Sequence, residues 1–171
     1  MSTLSAFITA SRTSSLSGIY RRFCDAAHLL RSPFLLFVRL YWGWQFMQTG
    51  WGKLHGLSHV QEFFASLGIP LPGLMAPAIA SLEFFGGILL IIGLATRLIG
   101  LLLACNMLVA YIVSDLPALK SIFSDPGKFY IADPFTFLFA SLIAFIFGAG
   151  LFSLDALIDK AWLDSRSRAG A

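Results

Sequence analysis

Four apolar runs alternate with turns and amphipathic segments along the chain. The first follows Pro33 and ends near Gly50. The second covers residues 76–97, the third 98–114, and the fourth runs from Asp133-Pro134 to Phe152. A helix rises about 1.5 Å per residue, so about 20 apolar residues cross the hydrocarbon core of a bilayer. The pattern predicts an all-α fold, a four-helix transmembrane bundle with short amphipathic surface helices. GIPLPG at 68–73 predicts a break before the second run, since its prolines and glycines cannot continue a helix. Asp133 followed by Pro134 predicts a cap and a first helical position for the fourth. A short turn at 97–98 makes the second and third spans antiparallel neighbours.

The segments between and outside these runs have their own spacing. In residues 19–31, Ile19, Phe23, Ala26, Ala27 and Leu30 recur at helical intervals beside Arg21, Arg22 and Arg31, which predicts a basic amphipathic helix on a membrane surface. Residues 51–67 are amphipathic in the same way, and 115–131 form a polar loop. Ser153 is placed to cap a last helix in which Leu154, Leu157, Ile158, Ala161 and Trp162 share a face. Residues 1–18 are rich in Ser and Thr, contain no acid, and are expected to be a flexible tail. Three regions follow: a tail and basic segment at 1–32, a four-span membrane domain at 33–153, and an amphipathic helix and tail at 154–171.

Charge inside the apolar runs is rare and therefore informative. Glu83 stands near the middle of the second run, where a charge costs on the order of 3 kcal/mol and needs a partner or a proton. Ala76, Ala80, Glu83, Gly87, Leu90 and Leu94 step by four and three, so they share one helical face, and small residues there admit a neighbouring helix. In the first run Arg39, Gly43, Phe46 and Gly50 form a similar face. Asn106 lies near the centre of the third. At 1.5 Å per residue, Glu83 lies roughly 18–20 Å, Asn106 about 12–14 Å and Arg39 roughly 9 Å from one end of the bundle. An arginine side chain spans part of that difference, so Arg39, Glu83 and Asn106 are the candidate intramembrane polar site. Two readings stay open: a hydrogen-bonded clamp that fixes helix register, or a pocket for a small polar headgroup, such as a quinone ring, or a proton path.

Composition agrees with a membrane protein. The 171 residues are 57% hydrophobic and 12% charged, with seventeen Phe and four Trp, against about 25% charge in soluble domains. A pI of about 9.1 could point to nucleic acid, but the net charge is only +3 and the basic residues flank the apolar runs, so nucleic acid is excluded as a partner. Of the twelve basic residues, nine fall on the side of the termini and Lys53, Lys120 and Lys128 on the other. The positive-inside rule then predicts both termini in the cytoplasm. Cys24 and Cys105 form no C-x-x-C pair, so neither a disulfide nor dithiol chemistry is supported. His55, His59 and Glu62 share a face, but two imaginable imidazole ligands beside Gly56 make a surface cluster, and no metal site is expected. Lys53 among Trp42, Trp44 and Trp51 could form a cation site, although interfacial tryptophans are ordinary anchors. No nucleotide fingerprint or catalytic triad is present.

Larger motifs carry a resemblance. RLYWGWQFMQTGWGKL (39–54), FFASLGIPLP (63–72), EFFGGILLIIGLATR (83–97), Asn106-Met107 followed by Ala110, and GAGLFSLD (148–155) together resemble the DoxX family of small bacterial membrane proteins. The resemblance covers residues 33–157 in family order. It implies four helices in the bacterial cytoplasmic (inner) membrane and a link to quinone-dependent or oxidative-stress systems. Arg39, Lys53, Glu83 and Arg97 match the family's recurrent charged positions, with Lys53 and Arg97 expected at the membrane interfaces. The expected role is an accessory membrane subunit with no intrinsic cofactor, a quinone as ligand, and a protein partner or a second copy as company. The alternatives are a scaffold that recruits a partner without chemistry, and a small-solute permease, for which four short spans leave little room.

Overall fold

The computed structural model describes the backbone of residues 2–169 and the side chains of residues 18–163 and 166. Within these residues the chain is all-helical: α1 (Ser2–His55), α2 (Leu57–Ser66), α3 (Pro72–Ile92), α4 (Thr96–Val113), α5 (Leu116–Lys120), α6 (Pro126–Ile131), α7 (Pro134–Phe147) and α8 (Leu154–Ala169). α1 packs against α3 and α7, and α4 packs against the same two helices. By length and composition α3 and α4 can cross a membrane; α7 is apolar but shorter, at 14 residues.

α1 and α3 run antiparallel and touch along glycines. A Cβ on Gly43 would stand 2.9 Å from the Gly87 carbonyl, and one on Gly50 2.7 Å from Phe84 Cα. Small residues let two helices approach closely where lipid supplies no hydrophobic drive. The α3 face read from the sequence is the one that is buried, including Ala76, Ala80, Glu83, Gly87 and Leu90. α4 approaches α7 through Gly100, whose Cβ would lie 2.9 Å from the Ser141 carbonyl. Between the helices, Phe46, Leu90, Leu103, Met107 and Tyr111 form the core. Outside it, Phe37, Trp44, Phe85, Leu98, Val109, Ile112, Phe139 and Ile146 are exposed. An apolar exterior of this extent is what an acyl-chain environment accommodates and water does not.

Several boundaries differ from the sequence expectation. Residues 2–55 form one continuous helix, so neither a tail nor a break at 32–33 interrupts it, and Pro33 lies inside it. The side chains of residues 1–17 lie outside the described residues, as do those of 167–171. The turn expected at 97–98 comes at Gly93–Ala95. Gly93 takes the left-handed conformation (φ 71°) that ends α3, its N–H bonded to the Leu89 carbonyl. Arg97 therefore belongs to the first turn of α4, not to the end of α3. The fourth apolar helix stops at Phe147, because Gly148 and Gly150 both have φ of 75°. Asp133 makes no capping bond, although Pro134 does open α7. The expected polar loop contains α5 and α6, and Tyr111 donates to the Phe129 carbonyl of α6 at 2.7 Å.

Candidate functional site

Glu83 is 2% exposed, and its carboxylate is fully engaged. Lys53 Nζ lies 2.6 Å from both oxygens, and Asn106 Nδ2 donates to Oε1 at 3.0 Å. Three helices thus meet at one acid. α1 supplies the ammonium, α3 the carboxylate and α4 the amide. Glu83 is nine residues from the end of α3 at Ile92, about 14 Å along the axis. Side chains on a helix lean toward its N-terminus. In an antiparallel pair Lys53 and Glu83 therefore lean toward each other, which closes the distance between their backbones. The Lys53 side chain is 35% exposed, so the ammonium joins the buried acid to the surface. On the same helix Trp51 packs on Phe84 at 5.4 Å between ring centroids and on His55 at 4.1 Å.

Arg39 does not join this group. The expectation that it meets Glu83 is corrected by the register of α1 on α3. The glycine contacts set Arg39 against the last turn of α3, where it donates to the Leu90 carbonyl at 3.1 Å. It also donates to the carbonyls of Ala149 and, at 2.8 Å, Phe152. Helix C-termini leave carbonyls without intrahelical partners, and a buried guanidinium with five donors satisfies several at once. Arg39, 2% exposed, thus ties α1 to α3 and to the segment after α7.

Lys53 was expected at the interface, apart from the candidate site. The stripe Arg39, Gly43, Phe46, Gly50 continues by one more step of three to Lys53, and that continuation was the available signal. The lysine turns to Glu83, so the tryptophans around it do not hold its charge. His55 Nδ1 lies 2.9 Å from the Trp51 carbonyl, and no group of three or more His, Cys, Asp or Glu is arranged to hold a metal among the described residues.

Arg97 is exposed and makes no hydrogen bond or ion pair among the described residues. Next to it Asp155 accepts from the Ala95 and Thr96 N–H groups at 2.7 and 2.9 Å. A carboxylate in that position satisfies two orphan donors and opposes the helix dipole. A cap brought from 60 residues away leaves no local pattern, so nothing in the sequence marks Asp155 for this role. Ser153 does cap α8, accepting from the Ala156 N–H at 3.1 Å.

Comparison with known proteins finds relatives of this chain. The chain is 33% identical over 125 residues to a Bacillus subtilis (strain 168) protein named "Putative oxidoreductase CatD", covering 73% of this chain and 87% of the relative. It is 29% identical over 126 residues to "Inner membrane protein YqjF" of Escherichia coli (strain K12), covering 68% and 85%. No solved structure matches it significantly. The DoxX family model matches residues 34–115, a stretch that contains Lys53, Glu83 and Asn106. On the model match and the two relatives together, the chain belongs to the DoxX family of membrane proteins.

Proposed function

We propose that this protein is an inner-membrane accessory subunit of a redox system, working through Lys53, Glu83 and Asn106. In this reading α1, α3, α4 and α7 form a four-span bundle with both termini in the cytoplasm. The apolar exterior supports the bundle, and the nine-to-three distribution of basic residues supports the orientation. The name of CatD supports the redox link, and that of YqjF the inner membrane.

The observation that carries the reading is a part-exposed ammonium held on a buried acid, on a helix that also carries exposed aromatic side chains. Trp51 and Phe85 are both exposed. A quinone headgroup would bring an aromatic face for Trp51 and carbonyl oxygens for a cationic donor. Lys53 would donate to the carbonyl, Glu83 would hold the ammonium in place and exchange a proton with it, and Asn106 would fix the carboxylate. Neither the cavity lined by Arg97 and Asp155 nor the one lined by Asp115 and Lys128 includes Lys53 or Glu83, so the ligand would approach sideways from the lipid. Electrons would come from a protein partner, because the chain has no paired thiols.

The test is a titration of the purified protein in nanodiscs with a short-chain ubiquinone, followed by tryptophan quenching. Lys53→Met should weaken binding about tenfold, the size of one charge-assisted hydrogen bond. Equal quenching in the wild type and in Lys53→Met, or none in either, rejects the site.

A second reading is favoured by the completeness of the hydrogen bonding at Glu83. Here the three residues only lock the helices, and the protein is a scaffold that recruits a partner or a second copy. Crosslinking with pull-down separates the two readings. A partner whose activity survives joint replacement of Lys53 and Glu83 supports the scaffold.

A further inference from the structure

A cavity of about 380 Å³ opens at the end of the molecule that carries the α3–α4 turn. Its walls come from the first turn of α4, residues 147–150 after α7, and the start of α8. We propose that this cavity binds a phosphate-bearing anion, in the first place the headgroup of an anionic phospholipid, through Arg97 and the first turn of α4.

Four observations support this, and none of them involves Glu83. First, Arg97 lines the cavity with its charge unmatched. Its Nε passes 3.2 Å from the point where a Cβ of Gly148 would stand, so that glycine leaves room for it. Second, Thr96 also lines the cavity. It is fully buried, and its hydroxyl is a buried polar group without a partner. Such a group costs stability unless something hydrogen-bonds to it. Third, the end of α4 carries more donors than Asp155 uses. The carboxylate accepts from residues 95 and 96, while the first intrahelical bond is donated by Ile99. The N–H groups of residues 97 and 98 are left over, beside an arginine and at the positive end of a helix.

Fourth, the rim identifies the kind of anion. Arg31 donates to the Phe147 carbonyl at 3.3 Å and sits over the Phe147 ring, which adds a second cation. Leu98, Phe147 and Ile158 are exposed around the opening and suit acyl chains. Two acids face the same space. Asp155 is already answered by its two N–H groups, and Asp159 is exposed at the edge. The two arginines match these two carboxylates in charge, and the free N–H groups of residues 97 and 98 add to the pull on an anion. Basic pockets between helices at the edge of a membrane are suited to lipid headgroups.

The test uses the full-length protein in detergent, studied by native mass spectrometry with added phosphatidylglycerol or phosphatidylcholine. Inorganic phosphate is added in a separate thermal-unfolding arm. The wild type should retain phosphatidylglycerol in preference, and Arg97→Gln should lower that retention about tenfold, as expected for one charge-assisted contact. Thr96→Val should also lower it while leaving the unliganded midpoint no lower than wild type. Arg21→Gln, on the exposed part of α1, should leave it unchanged. Protection by inorganic phosphate that depends on Arg97, without a phosphatidylglycerol preference, would assign the cavity to a soluble phosphate. If Arg97→Gln stays helical and matches the wild type in both arms, the proposal is overturned.

Discussion

Replacing Lys53 with methionine removes both of its contacts to Glu83 and keeps the length of the side chain. The carboxylate, 2% exposed, is then left with the Asn106 amide at 3.0 Å. Breaking one side of a buried ion pair costs about 3–5 kcal/mol, and partial exposure of the other partner reduces this to about 2–3 kcal/mol. Glu83→Gln should cost less, about 1 kcal/mol, because Lys53 can turn toward water and the amide keeps a hydrogen bond. The double variant should cost little more than Glu83→Gln alone. The coupling energy would then be about 2 kcal/mol, above the average of about 0.6 kcal/mol for hydrogen bonds between transmembrane helices. Unfolding in mixed micelles, followed by circular dichroism across all four proteins, gives this number. If the two single effects add to within about 0.5 kcal/mol, the ammonium does not hold the acid, and the site dissolves into unrelated contacts.

Three further outcomes follow from the packing. Gly50→Leu should prevent α1 from docking on α3, because even a Cβ meets the Phe84 backbone, whereas Gly52→Ala, with nothing within 4 Å, should be tolerated; yield of monodisperse protein on size exclusion separates them. Thr96→Val should leave stability unchanged or raise it by about 1 kcal/mol, since the hydroxyl it removes has no partner; a lowered thermal midpoint would contradict this. Asp155→Ala should cost about 1–2 kcal/mol, typical for a lost cap, and should speed amide exchange in the first turn of α4 more than in α7.

The positions of the polar groups were legible in the sequence where small residues marked the face. The four-three stepping of α3 placed Glu83 inward, and Asn106 fell on the buried side of α4. The partner of the acid was harder to read. Depth along a helix depends on where the helix ends, and α3 ends at Ile92 because Gly93 adopts a left-handed conformation. That moved the free carbonyls close to Arg39 and made them, not the carboxylate, its acceptors. Spacing also says nothing about the lean of side chains in an antiparallel pair, which brings Lys53 to Glu83. The continuity of α1 through Pro33 has another reason: a proline within a helix removes one hydrogen bond without obliging the helix to stop.

The connection between α7 and α8 has a consequence for how little of this protein could stand alone. Residues 34–115 match the family model, yet the guanidinium at position 39 finds two of its acceptors at residues 149 and 152, and α4 is capped from residue 155. A fragment cut after 115 would strand a cation within its own packing and leave the next helix uncapped. The last third of the chain is thus what completes the first, and the earliest helix can reach its final environment only after the final segment has been made.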